Sequence, residues 1–150
     1  MEEQALTRRR EIDGLLTDTF NSILRVEERA LDSRLTRGLT ITEIHTIAAV
    51  GYRERNPMNV VASRLGVTLA TLTIAVNKLV EKGFVERVRD EADRRRVLVS
   101  LTTQGRKVYR AHGLFHKQMI AGALEGLTEE EERVLAGALA KVKGFFDGQA

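Results

Sequence analysis

Between residues 57 and 105 the chain runs PMNVVASRLGVTLATLTIAVNKLVEKGFVERVRDEADRRRVLVSLTTQG, and this stretch restricts the possible folds more than any other. Apolar residues recur at helical spacing up to Gly66 and again from Thr68 to Gly83. Gly66 suits a tight turn between the two segments, and Gly83 supplies the left-handed residue that stops the second. Residues 85–89 and 97–101 then alternate apolar and polar side chains, as half-buried strands do. The loop between them, DEADRRR, is polar and carries Arg94, Arg95 and Arg96. The pattern is helix, turn, helix, basic hairpin.

That order is the layout of a winged helix, whose second helix enters the DNA major groove while the hairpin tip reaches the backbone or minor groove. The expected fold is mainly α, an α+β winged helix in the order α-α-α-α-β-β-α-α, with a two-stranded wing and helical dimerisation arms. Residues 39–102 form the expected DNA-binding domain. Residues 1–38 and 103–150 form the expected helical dimerisation region.

The flanks read as helices with clear ends. Ile12, Leu15, Leu16, Ile23, Val26, Ala30 and Leu31 mark an apolar stripe over a first helix from about residue 6 to 35, with Arg25, Glu27, Glu28 and Arg29 on its outer face. Thr40 and Glu43 make a capping box for the second helix, with Leu39 and Ile44 as its hydrophobic staple. Asn56 is placed to cap the third helix, with Pro57 at its first position. Thr68 caps the fourth, Thr102 or Thr103 opens the fifth, and Thr128 with Glu131 opens the sixth.

The terminal helices carry more apolar residues than a small core can cover: Ile12, Leu16, Phe20 and Leu24 at one end, Leu135, Leu139, Val142, Phe145 and Phe146 at the other. The expected solution is burial against each other and against a second copy. A two-fold dimer would present two recognition helices to a palindromic site.

Composition narrows the chemistry. The 150 residues include no cysteine, which excludes disulfides and thiolate zinc sites, and three histidines. No apolar run approaches the ~18 residues of a membrane span, and no secretory signal opens the chain, so the expected location is the cytoplasm with no membrane partner. Net charge is only +3, yet Arg87, Arg89, Arg94, Arg95, Arg96, Arg106, Lys107 and Arg110 crowd the stretch after the second helix of the module. Such a stripe is an electrostatic footprint for phosphate. No Gly-x-Ser-x-Gly, phosphate loop or paired histidine–carboxylate motif is present, so no catalytic residues are assigned and an enzyme is not expected.

Sequence reading is expected from Thr68, Ala70, Thr71 and Thr73 near the start of the fourth helix. Threonine bonds base edges or phosphate, and its methyl and that of Ala70 suit the thymine methyl. Asn77 can bond adenine or phosphate, and Lys78 phosphate. Arg94 and Arg96 are expected at the DNA backbone, and Arg64 is a weaker phosphate candidate. A winged helix that binds DNA without sequence preference is the alternative, marked by uniform, strongly salt-dependent affinity.

From Met58 to Gly105 the chain resembles the MarR family of bacterial transcription regulators. The resemblance rests on VVASRLGVTLATLT, LVEKGFVER, the Asp93–Arg94–Arg95 wing and VLVSLTTQG, and the flanking helices also fit. It implies that Arg95 enters the minor groove and that Asp93 is the acidic partner fixing its orientation. Many family members carry basic residues where this chain has Leu69 and Ile74, so the expected operator is palindromic and A·T-rich, read through methyl contacts. LTITEIHTI, TLTIAVNKLVEKGFVERVRDEADRRRV and HGLFHKQM are similar to the branch that represses fatty-acid synthesis genes, in which acyl groups on acyl carrier protein act as corepressor.

On that branch reading an apolar tunnel binds the acyl chain, with Phe20, Leu24, His45, Phe115, His116 and Met119 as candidate ligand residues and Ile44 and Ile47 beside them. No other cofactor is expected. The alternatives are a different small ligand, or zinc at His45, His112 and His116, of which the last two are spaced i,i+4 on one helix.

Overall fold

A computed structural model describes residues 1–30, 35, 36 and 38–149. The chain divides into two units, Met1–Glu43 and Ile44–Ala150. The elements follow in the order α1 (Glu2–Ala30), α2 (Ile41–Val50), β1 (Asn56–Pro57), α3 (Met58–Leu65), α4 (Leu69–Glu81), β2 (Val85–Arg89), β3 (Val97–Leu101), α5 (Thr103–Leu124) and α6 (Glu129–Asp147). The fold is thus mainly helical with one small antiparallel sheet. No single helix among the described residues is long and apolar enough to cross a membrane.

In the first unit α1 is a 29-residue helix. Its expected continuation over residues 31–34 lies outside the described residues. Ile12, Leu15, Leu16, Phe20, Ile23 and Val26 are all exposed along it. Glu27, expected on the outer face, is instead the buried residue of this helix. The unit closes on the start of α2, where the expected capping box forms. The Glu43 carboxylate accepts from the Thr40 amide at 3.0 Å, and the Thr40 hydroxyl accepts from the Glu43 amide at 3.2 Å. Two of the four orphan donors at this helix end are therefore satisfied.

The second unit holds the core. Ile44, Ile47, Val50, Val61, Leu72, Val76, Leu79, Val85, Val99, Leu101 and Val108 are all fully buried. They come from α2, α3, α4, the sheet and the first turns of α5, so one cluster fixes the helix–turn–helix against the hairpin. Gly66 (φ 66°) donates its amide back into the last turn of α3, and the chain bends by 105° between α3 and α4. That bend lies within the range of a helix–turn–helix.

The sheet differs from expectation. It has three strands in the order β1-β3-β2, not two. Asn56 and Pro57 pair antiparallel with Val99 and Leu98. Asn56 is therefore a strand residue rather than the cap of α3, and its side-chain amide donates to the Val50 carbonyl and the Glu54 carboxylate. Pro57 takes the N-cap position with no side-chain cap bond. Proline is tolerated there because β1 is an edge strand. The hairpin itself pairs Val85 with Leu101 through Arg89 with Val97.

The Leu-Thr-x-x-Gly sequence after β3 is a packing device. The Thr102 hydroxyl accepts from the Gly105 amide and donates to the Gly83 carbonyl at 2.6 Å, while the Thr102 amide donates to the Phe84 carbonyl. A Cβ on Gly105 would lie 2.0 Å from the Phe84 carbonyl oxygen. Glycine lets α5 start directly against the entry to the wing. α6 begins with the expected Thr128–Glu131 capping box and buries none of its residues within the chain.

Candidate nucleic-acid interface

The exposed start of α4 is shaped by its cap. The Thr68 hydroxyl accepts from the Thr71 amide at 3.2 Å and donates to the Thr71 hydroxyl at 2.9 Å. The Thr73 hydroxyl donates to the Leu69 carbonyl at 2.8 Å, so its proton is already committed and only its oxygen lone pairs and methyl remain for an external partner. Leu72, Val76 and Leu79 are buried, which fixes the opposite face outward. Thr68, Leu69, Ala70, Thr71, Ile74, Asn77 and Lys78 are exposed on it, and Thr73 is half-buried. Leu69 is 52% and Ile74 61% exposed, so this face presents apolar side chains beside its threonines. Methyl-rich and uncharged at its tip, this surface suits thymine methyls more than guanine edges.

Asn77 does not stand alone. The Arg87 guanidinium on β2 donates to its side-chain oxygen. This pair ties the exposed side of α4 to the wing, and sequence reasoning assigned Asn77 without it. The signal was present only as one more arginine in the basic stripe.

The wing tip is ordered by local bonds. The Asp93 carboxylate accepts from the Arg95 amide at 3.0 Å, and the Asp90 carboxylate accepts from the Ala92 amide at 3.0 Å. The Asp93 carbonyl accepts from the Arg96 amide, and the Arg96 carbonyl from the Asp90 amide. Asp93 thus sets the backbone from which Arg95 projects, rather than holding its guanidinium. Arg96 lies 4.0 Å from the Asp90 carboxylate. Among the described residues no carboxylate holds Arg94 or Arg95, and both are exposed. Two guanidinium groups with no carboxylate partner, on a turn held by local hydrogen bonds, have the chemistry to meet a phosphate or a narrow minor groove.

Arg64 is engaged inside its own unit. Its guanidinium donates to the Ala49 carbonyl at 3.0 Å and to the Glu54 carboxylate at 3.1 Å, tying α3 to α2 and the loop after it. Glu54 is held below the usual carboxylate range, first by the Asn56 amide bond and then by Arg64. A contact from Arg64 to phosphate would compete with these bonds.

The candidate ligand residues divide between the units. On α1 Phe20 is exposed and Leu24 half-buried. In the second unit His45, Phe115, His116 and Met119 are half-buried, whereas Ile44 and Ile47 belong to the core. His45 of α2 meets His112 of α5 with ring centroids 5.6 Å apart, and Phe115 and His116 are 5.8 Å apart.

A profile of the MarR family matches residues 37–96. The chain is similar to FabT of Streptococcus pneumoniae, solved in complex with DNA, at 37% identity and a TM-score of 0.88, over 95% of this chain and 99% of that one. It is 34% identical to the HTH-type transcriptional regulator YhjH of Bacillus subtilis over 62% of this chain and 55% of that protein's length. It is 29% identical to the HTH-type regulator BilQ of Clostridium symbiosum over 70% of this chain and 73% of that protein.

Proposed function

The chain belongs to the MarR family of winged-helix transcriptional regulators, DNA-binding proteins rather than enzymes, and from that premise we propose that it is a homodimeric repressor of fatty-acid synthesis genes. Its operator is a palindromic, A·T-rich duplex, and its corepressor is the acyl group carried on acyl carrier protein. It acts in the cytoplasm, where both partners are found. The observation that carries this reading is the end-to-end likeness to FabT, which reaches past the DNA module into the flanking helices.

The roles divide by element. Thr68, Ala70, Thr71 and Thr73 read bases from α4, with Asn77 and Lys78 at its outer edge. Arg95 enters the minor groove, Asp93 orders the turn beneath it, and Arg94 and Arg96 meet the backbone. Arg64 contributes at most a secondary phosphate contact, because its guanidinium is already bonded at Ala49 and Glu54. Phe20, Leu24, His45, Phe115, His116 and Met119 belong to the effector region. The acyl chain biases the spacing of the two recognition helices by binding one spacing better than the other.

Fluorescence anisotropy tests each part. Labelled A·T-rich inverted repeats and a scrambled duplex are titrated at one salt concentration, with and without acylated carrier protein. Affinity for the repeat should exceed that for the scrambled duplex by about 10³ or more, and the acylated carrier should tighten it. Equal affinity for every duplex would establish non-specific architectural binding instead. An acyl carrier without effect would remove the corepressor.

A further inference from the structure

We propose that Arg87 fixes the hydrogen-bonding sense of Asn77, so that α4 offers DNA an amide donor at this point and reads keto bases instead of adenine. Such a role presupposes the sequence-specific DNA binding proposed above. Asn77 follows Ile74 by three residues and Thr73 by four, which puts it on the same outward face of α4. Its side-chain oxygen accepts from the Arg87 guanidinium. Arginine carries donors and no acceptor, so the atom turned towards it is the amide oxygen and never the nitrogen. The register of the hairpin brings Arg87 within reach. Arg87 lies opposite Val99, on the sheet face that carries the buried Val85, Val99 and Leu101. Val85 is buried and Arg87 exposed, so the core ends between them and Arg87 comes out beside α4.

The consequence is chemical. A free asparagine amide grips adenine with both its ends, accepting from N6 and donating to N7. Here a charged donor already holds the accepting end, and turning the amide over would set its NH₂ group against the guanidinium. The amide hydrogens that remain need an acceptor in the major groove. Thymine O4 and guanine O6 are keto oxygens and supply one, whereas the amino groups of adenine and cytosine are donors and repel. The four base pairs therefore fall into two classes at this position. Thymine·adenine and guanine·cytosine are accepted in one orientation, and both reversals are rejected. Arg87 is a positioning residue and needs no base contact of its own. An arginine that only met phosphate would weaken every duplex alike and leave base preference untouched.

The test uses the full-length protein with its Asn77→Ala and Arg87→Ala variants, their folds checked by circular dichroism. Each selects its site from a randomised duplex library. The base pair whose preference disappears in Asn77→Ala is the one that Asn77 reads. Duplexes carrying each of the four pairs there are then titrated by fluorescence anisotropy. The unaltered protein should bind the two keto pairs alike and the two reversed pairs about fivefold or more weaker. In Arg87→Ala the amide is free to turn, so the keto preference should be lost and one A·T orientation should lead both G·C pairs. A selected site that Asn77→Ala leaves unchanged overturns the proposal. So does an unaltered protein that already favours one A·T orientation over both G·C pairs, or a four-pair profile that Arg87→Ala does not alter. If the unaltered protein selects no consensus at all, sequence-specific binding itself fails, and the role of Arg87 with it.

Discussion

Gly105 fixes the junction between the wing and α5 because no side chain fits where its Cβ would go. The nearest obstacle is a backbone oxygen, which cannot turn aside as a side chain would. Gly105→Ala should therefore lower unfolding stability by about 1–3 kcal/mol, seen as a reduced urea midpoint with the helix content intact. Arg95 acts at the same scale but on binding alone. It is exposed, and no carboxylate among the described residues holds it, so removing it disturbs no internal contact. Arg95→Ala should cost about 1–3 kcal/mol of operator affinity with an unchanged melting temperature; equal anisotropy curves would take Arg95 out of the interface. Glu54 makes a pH prediction. Its carboxyl titrates lower when folded, through Asn56 and then Arg64, so its stabilisation is complete above the unfolded value of about 4.3 and fades as pH falls through the folded one. Glu54→Gln should accordingly be less stable than the parent in urea at neutral pH. The two should converge in acid, and a constant gap across the range would contradict the assignment.

Elements with local signals were legible and those with distant partners were not. The capping boxes at Thr40 and Thr128, the cap at Thr68 and the stop at Gly83 each act over a few residues, so their meaning is written beside them, whereas the opening of α5 was legible only as Thr102 or Thr103 and the structure selects Thr102. β1 is two residues long and exists only because β3 lies next to it, so Asn56–Pro57 read as a helix start. The same difference separates parts of the site. The arginines of the wing were visible as a run, and the i,i+4 pair His112 and His116 as a spacing. The Arg87 bond to Asn77 and the approach of His45 to His112 needed the fold. Glu27 was misread because a charge in a helical stripe looks solvated until burial is known. Thr102 joins the helix cap to the wing by two bonds, so Thr102→Ala should lose about 0.5–2 kcal/mol. Hydrogen exchange should report the loss at the first turn of α5, whereas protection unchanged there would mean the cap is redundant.

Across the whole molecule the apolar surface left bare is unevenly distributed. On α6, Leu135, Leu139, Val142 and Phe146 recur at helical spacing on one stripe, and every one is exposed. Phe145 and Phe146 are both more than 60% exposed. The α1 helix carries a comparable series through Ile12, Leu16 and Phe20. Monomeric proteins rarely leave contiguous apolar patches of this kind in water, and at about 25 cal/mol per Å² of apolar area such stripes strongly favour a second copy. On the function proposed above, dimerisation would place two α4 helices on one duplex, as a palindromic operator requires. Replacing Leu139 and Phe146 together by glutamate sets two charges in that seam without touching the buried core of the second unit. Sedimentation equilibrium should then report monomer mass, with circular dichroism retaining the helical signal. Affinity for the full inverted repeat should fall to that for a single half-site, since linkage between the two recognition helices is gone. A variant that stays dimeric and keeps full operator affinity would show that these side chains lie outside the dimer contact, and the seam would have to be sought on α1 alone.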